Sequence, residues 1–356
     1  MSEVRAKKAL GQHFLVDLNI ARKICDALSG GVRPEAGAET RAVAAGSADA
    51  DAETRTRVAG YAGAGAEART MAAGSADAGA EARTKATGTA DADAETRRGV
   101  AASADARLAA DTTAAGAPAA AEEERGGAVP CDVLEVGCGM GVLTQFLLRR
   151  SDVVVWGAEI DAESVEYLHA HFPEFAPRLI EGDFLKMNLR ERFPRGLKII
   201  GNFPYNISSQ IFFKVLEHRD LVPECVGMIQ KEVAVRIAEP PGSKEYGILS
   251  VLLQAWYDIE YLFTVNETVF NPPPKVKSAV IRLRRNSVGR LGCDEALFVK
   301  VVKASFGQRR KMIRNSLRTV FGDFGGAEHP FFTQRAEQLS VADFVQLTNW
   351  VAANRK

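Results

Sequence analysis

Asn202-Phe203-Pro204-Tyr205 follow an apolar run, Leu197-Lys198-Ile199-Ile200, with only Gly201 between. A plain turn needs Asn, Gly or Pro; it does not need two aromatic rings as well. An amide, a rigid proline and a ring at the end of a buried strand suit a pocket that grips a flat ring with an amino group on its edge. The alternative for these four residues is an ordinary Asn/Pro turn with buried aromatics. Three further features have the same placement. Gly137-Cys138-Gly139-Met140-Gly141 follows Val133–Val136. The dinucleotide pattern G-x-G-x-x-G wants its third glycine at 142, where Val142 stands, so the spacing is G-x-G-x-G. Glu159 ends the next apolar run, where a carboxylate can accept two ribose hydroxyls. Asp183 ends the third, in Gly182-Asp183-Phe184, where an acceptor can take the amino group of an adenine edge. Singly, such acids also cap the helices that follow them. Together with the glycine turn they point to an adenosine-type cofactor.

The elements that position these residues alternate. VLEV (133–136) precedes a helical stretch, GVLTQFLLRR; VVVWGAEI (153–160) precedes AESVEYLHAHF; RLIEGDF (178–184) and LKIIGNF (197–203) follow. The alternation predicts an α/β fold with a mainly parallel sheet and helices on both faces. In such sheets ligands bind at the carboxyl ends of the strands. Before them, Asp17 to Leu28 reads as a helix. Beyond about Arg285 the pattern becomes helical only: ALFVKVVKASF carries apolar residues at helical spacing, and RRKMIRNSLRTVF sets Met312, Ile313 and Leu317 among basic residues as an inward stripe. The organisation expected is a domain over 1–285 and a small all-helical domain over 286–356.

Residues 35–128 break this organisation. Arg41, Arg55, Arg69, Arg83 and Arg97 recur every 14 residues, and Glu39, Glu53, Glu67, Glu81 and Glu95 keep the same step. Fourteen is two heptads, but large apolar residues are almost absent, so no coiled-coil seam can bury much surface. Gly46, Gly60, Gly74 and Gly88 each weaken a helix by about 1 kcal/mol relative to Ala. The segment reads as a disordered low-complexity insertion in a surface loop, either neutral or an arm for a partner.

The 356 residues carry 45 basic and 45 acidic side chains, a formal charge of zero. That balance hides an acidic insertion and a basic stretch, Lys275 to Arg318, whose only acids are Asp294 and Glu295. A local excess of this kind suits a polyanion such as nucleic acid, or else a solvated face. Five cysteines form no CxxC pair and no His cluster joins them, which argues against zinc and against a disulfide framework. The N-terminus lacks a secretory apolar core and no run reaches membrane-spanning length, so a reducing cytoplasm and no membrane partner are expected.

EVGCGMG, Glu159, Gly182-Asp183 and the NFPY tetrapeptide together resemble the successive motifs of S-adenosylmethionine-dependent N6-adenine methyltransferases. KKALGQHFL (7–15), GNFPYNISS (201–209), MIQKEVAVRI (228–237), YGILSVLLQ (246–254), VFNPPPKVKSAVIRL (269–283) and FGQRRKMIRNSL (306–317) narrow the resemblance. The chain, apart from 35–128, is similar to the bacterial small-subunit ribosomal RNA adenine dimethyltransferase family, the kasugamycin-sensitivity enzymes. The resemblance implies a Rossmann-like methyltransferase sheet, S-adenosylmethionine as methyl donor without a metal, and a monomer. Its substrate would be 16S rRNA within the small ribosomal subunit, where it would dimethylate N6 of two neighbouring adenosines near the 3′ end.

The same resemblance assigns residues. Asn202 and the Pro204 carbonyl would hold the two hydrogens of the adenine amino group, and Tyr205 would stack on the base. His13, Leu15, Gly137, Glu159, Asp183 and Asn202 would contact the cofactor. Phe270 would pack on the base from the other side, or else be core. Lys275, Arg309, Arg310 and Lys311 would meet RNA phosphates. Three positions depart from the family pattern: His13 stands where Asn is common, Phe203 replaces Leu, and Lys277 replaces Asp. Competing readings are a large-subunit rRNA adenine methyltransferase of the macrolide-resistance type, a non-catalytic RNA-binding assembly factor, and a nicotinamide oxidoreductase.

Overall fold

A computed structural model describes residues 4, 6–7, 10–30 and 130–355. The repeat of 35–128 lies outside the described residues. A short strand, β1 (Phe14–Leu15), leads into α1 (Leu18–Ala27). Asp17 caps this helix by accepting from the N–H groups of Asn19 and Ile20, and Ala21, Ile24 and Cys25 form its buried face. The sheet strands are β2 (Cys131–Val136), β3 (Val153–Glu159), β4 (Leu179–Glu181), β5 (Lys198–Asn202), β6 (Glu224–Gln230), β7 (Tyr257–Val265) and β9 (Ser278–Arg285). Their spatial order is β4-β3-β2-β5-β6-β9-β7, while β8 (Phe270–Asn271) pairs with β1 outside this sheet. Pairing is parallel from β4 to β6 and antiparallel at β9 and β7.

The central parallel strands β2, β5 and β6 are buried on both faces, whereas β4 at the edge has no buried residue, and neighbouring residues of the central strands divide between two cores. Val133, Val155, Ile200 and Val226 pack with α1; Leu134, Ile199 and Cys225 face the opposite core. That second core holds residues of α4 (Leu189–Arg192), α5 (Ser208–Glu217), α6 (Lys231–Ala238) and α7 (Ile248–Gln254). It continues without a break into α8 (Glu295–Gly307), α9 (Ile313–Phe321) and α10 (Val341–Asn354).

Two local expectations are corrected. The stretch 141–150 forms only a four-residue helix, α2 (Thr144–Leu147), which starts beyond Gly141, whose positive φ is incompatible with a right-handed helix. Met312 is not in the inward stripe: α9 begins at Ile313, Met312 is its extended cap, and its side chain is 51% exposed while Ile313 and Leu317 are buried. Between β3 and β4 lies α3 (Ala162–His171), as expected.

Phe203 shows how one side chain fixes the backbone around the NFPY turn. Its ring is fully buried against the sheet. A Cβ built on Gly201 would lie 2.8 Å from that ring, and one on Gly227 would lie 2.4 Å from it. Two glycines on neighbouring strands therefore make room for the phenyl group. Gly227→Ala should destabilise the protein by about 1–3 kcal/mol through overpacking. Combining it with Phe203→Leu should recover part of that loss; strictly additive losses in denaturant titrations would contradict this packing.

Candidate active site

The strand order reverses between β2 and β5, and ligand sites of open α/β sheets form at such a reversal. A cleft opens there, enclosing about 1210 Å³ of non-protein space, solvent at its mouth included. Its wall brings together residues from the ends of four adjacent strands: Asp183 after β4, Glu159 on β3, Gly137 after β2, and Asn202 to Tyr205 from β5. Residues 10–15 close it from the N-terminal side, so His13 and Leu15 line it too.

Asn202 has a determined orientation. Its Nδ2 donates to the His13 carbonyl at 2.9 Å, and a carbonyl can only accept. The amide oxygen is therefore the end left for a ligand. The Pro204 carbonyl accepts from the N–H of Ile207 at 3.1 Å, which closes the turn and leaves one lone pair. The Tyr205 hydroxyl lies 2.5 Å from the Ser278 hydroxyl at the start of β9. This tether holds the ring at the cleft, with the His13 ring 5.4 Å away, centroid to centroid. His13 Nδ1 is itself 2.8 Å from the Pro272 carbonyl. Sequence reasoning missed Ser278; its place at the head of a strand beside the triple proline was the available signal.

The three glycines of the turn do not present their N–H groups to a ligand. Gly137 donates to the Ala158 carbonyl, Gly141 to the Cys138 carbonyl, and Gly139 to Glu159 Oε2, each at 2.9 Å. Glu159 Oε1 accepts from Ile160 and Asp161. Burial raises the pKa of Glu159, while these three backbone donors oppose it. Asp183 caps a 3-10 turn through Oδ1, so the capping role weighed from sequence is present, and its Oδ2 lies 3.8 Å from Lys186. The third carboxyl of the wall, Glu135, is fully buried and takes a 2.6 Å hydrogen bond from Thr144. Burial pushes its pKa up to about 8. Among the described residues the wall holds three carboxyl groups and no Lys or Arg. A pyrophosphate would find none of the three glycine amides free and no Lys or Arg side chain in the wall. A ligand carrying ribose hydroxyls, an amino group and a positive charge would find acceptors, which is the donor set of S-adenosylmethionine.

The remaining predicted residues lie elsewhere. Phe270 is 4% exposed, pairs with Leu15 across β1 and β8, and packs in the core with α1; it does not line the cleft. Lys275 is exposed in the loop before β9. Arg309 is half-buried, with its guanidinium on the carbonyls of Lys244 and Tyr246. Arg310 and Lys311 are exposed between α8 and α9.

A family model described as "Ribosomal RNA adenine dimethylase" matches residues 130–353. The chain belongs to this family. It is similar to a protein of Bacteroides thetaiotaomicron named ribosomal RNA small subunit methyltransferase A. The two are 61% identical over 221 residues, covering 62% of this chain and 82% of the relative. A protein of the same name from Parabacteroides distasonis is 60% identical over 218 residues, or 61% and 81% of the two chains. The fold is similar to a crystal structure of a dimethyladenosine transferase from Plasmodium falciparum. Its TM-score is 0.52 at 25% identity, covering 64% of this chain and 92% of that one.

The Glu135 carboxyl gives the family member's fold a pH signature. Its folded pKa lies above the unfolded value, so stability is fully present below about pH 4.5 and is lost as pH rises toward about 8. Glu135→Gln keeps an acceptor for Thr144 and cannot ionise. Its melting temperature should gain on the wild type between pH 5 and pH 8; a constant difference across that window would show that Glu135 does not ionise there.

Proposed function

We propose that this protein transfers methyl groups from S-adenosylmethionine to N6 of two adjacent adenosines in the 3′-terminal hairpin of 16S rRNA, giving N6,N6-dimethyladenosine. The observation that carries the reading is the orientation of Asn202: its nitrogen is committed to His13, so its oxygen faces the cleft role as an acceptor. The small-subunit reading is preferred to the large-subunit one because the relatives at about 60% identity carry the small-subunit name.

The adenine amino nitrogen is a poor nucleophile because its lone pair is delocalised into the ring. Asn202 Oδ1 and the Pro204 carbonyl accept its two hydrogens and draw them out of the ring plane. The nitrogen becomes more tetrahedral and its lone pair is freed for attack on carbon. S-adenosylmethionine, when bound, would supply the methyl group: its carbon–sulfur bond breaks as the nitrogen–carbon bond forms, the sulfur leaves as a neutral thioether, and the methylated nitrogen releases one proton to solvent. Tyr205 stacks on the base, a contact worth about 1–3 kcal/mol in other systems, and the Ser278 tether fixes the plane of stacking. Glu159 accepts the ribose hydroxyls and Asp183 the cofactor's adenine amino group. Most of the acceleration comes from orientation. The target adenosine must leave its stack to reach the cleft. The helical part after Arg285 meets RNA phosphates through Arg310 and Lys311, which position the substrate without selecting the base. Arg309 acts indirectly, by fastening the α8–α9 turn to the Lys244–Tyr246 segment.

Labelled methyl from S-adenosylmethionine should enter small subunits that lack dimethyladenosine, and nucleoside analysis should find N6,N6-dimethyladenosine in the 3′-terminal fragment. Incorporation only into large-subunit RNA would favour the macrolide-resistance type of reaction. Asn202→Ala should lower the transfer rate about 100-fold or more, the scale of removing one preorganised polar contact. The double substitution Arg310→Ala, Lys311→Ala should reduce the slope of log affinity against log salt by about two for RNA binding. An unchanged slope would take these two residues off the RNA.

A further inference from the structure

Residues 10–15 form one wall of the cleft, and their fastenings fall on two sides. On the β5 side they are held by the Asn202 hydrogen bond to the His13 carbonyl, by His13 Nδ1 on Pro272, and by the β1–β8 ladder. Gly11 also lies against Asn206: a Cβ there would approach the Asn206 Oδ1 to 2.7 Å. On the β3 side, the segment is held at Asp161 by the Lys7 ammonium, with Gln12 as a weaker hydrogen-bond partner of the same carboxylate. Asp161 is 2% exposed, and the ammonium also lies 3.1 Å from Glu163. The Lys7 backbone is tied into the wall as well. The Lys7 N–H donates to Gln12 Oε1 at 2.8 Å, and the Leu10 N–H donates to the Lys7 carbonyl at 3.0 Å. Where the ammonium is held therefore decides where residues 10–12 lie.

Asp161 sits two residues beyond Glu159, and its N–H donates to Glu159 Oε1. The same turn thus carries the carboxylate that faces the cleft and the carboxylate that holds Lys7. We propose that Lys7 is a positioning residue that latches the N-terminal segment over the cofactor half of the cleft by pairing with Asp161. This rests on the reading of that cleft as the S-adenosylmethionine site. Burial alone would push the Asp161 carboxyl up, but Lys7, Ser164 and Gln12 together outweigh it and hold the pKa below the usual carboxylate value. Without Lys7, a nearly inaccessible carboxylate keeps the Ser164 hydroxyl, 2.9 Å away, and loses its counter-charge. Opening the segment to water becomes the cheaper arrangement. The outer partner Glu163 is half-exposed and adds little.

A latch of this kind changes the closed population and leaves the chemistry alone. Apparent affinity scales with the fraction of closed protein, so a fall in that fraction to about one tenth weakens binding about tenfold. The test uses Lys7→Met and Lys7→Arg in the full chain, since the exposed stem of Lys7 can be replaced without touching the core. Amide exchange of residues 10–15 is measured first in protein without cofactor. Binding of S-adenosylmethionine by equilibrium dialysis and transfer to small subunits at saturating cofactor follow. Lys7→Met should speed exchange in 10–15, weaken cofactor binding about tenfold, raise the cofactor KM, and leave kcat within about twofold; Lys7→Arg should behave like the wild type. Unchanged exchange and unchanged affinity in Lys7→Met would overturn the latch. So would a loss of kcat as large as the loss of affinity. Faster exchange in a protein whose wild type binds no S-adenosylmethionine would uphold the latch and overturn the cofactor reading instead.

Discussion

Between β2 and β5 the connections depart in opposite directions along the sheet, so no helix covers the carboxyl ends of those two strands. Everything in the cleft depends on that gap. The glycine turn needs it, because Gly137, Gly139 and Gly141 bend the chain back with positive φ and a side chain at Gly141 would strike Phe172. The NFPY turn needs it, because Phe203 must sink into the sheet for Asn202 and Pro204 to stand at the rim. The two glycines that admit Phe203 lie on β5 and β6, one step from the reversal. A leucine at 203 would fill less of that space, so the phenyl group and the paired glycines are one solution to packing at the rim.

The gap also explains why the cofactor half and the base half of the cleft are coupled. In the proposed reading Asn202 serves the base, yet its amide is oriented by the carbonyl of His13, in the N-terminal segment that lines the cleft. A single hydrogen bond thus ties the direction of the acceptor to closure of the N-terminal segment. Tyr205 is coupled in the same way on its other side, through Ser278 and the strand that runs antiparallel to β6. The acids of the wall complete the arrangement. Glu159 is partly neutralised by three backbone donors, whereas Glu135 has only Thr144 and is the more reluctant to ionise. A wall with two differently tempered carboxyl groups can accept from neutral hydroxyls without piling up uncompensated charge.

The convergence of Gly137, Glu159, Asp183 and Asn202 was legible in the sequence because each follows a strand, and parallel strands bring their carboxyl ends to one edge. The helical character of residues beyond 286 was legible from apolar spacing. The tethers were not. Ser278 and Tyr205 are 73 residues apart, and Lys7 and Asp161 are 154 apart. Which pairs meet at such separations depends on strand order and register, and periodicity carries no record of either. Arg309 shows the limit for charge. Its type suggested phosphate, but two backbone carbonyls supplied by another segment claim it first. Phe270 shows the same limit for aromatics, since the β1–β8 pairing turns it inward. Met312 failed for a local reason, because one residue decides whether a side chain lies inside the first helical turn or before it.

Gly30 and Pro130, the described residues that flank 31–129, lie at the amino ends of the strands, opposite the cleft. Both points meet Asp152: a Cβ on Gly30 would lie 3.3 Å from its Oδ2, and the Cys131 N–H donates to its carbonyl at 3.3 Å. Around them, Arg150 donates to the carbonyls of Cys25, Leu28 and Ser29, and Lys198 donates to those of Ser29 and Gly30. Glu224 accepts from the Ser29 N–H and pairs with Lys198. Such a clamp satisfies the backbone at the point of departure without help from the residues beyond it. Loop-closure entropy grows only with the logarithm of length, so a long connection between two neighbouring, fully satisfied ends costs little more than a short one. β2 spans about 20 Å at the usual rise per residue, which separates these amino ends from the cleft.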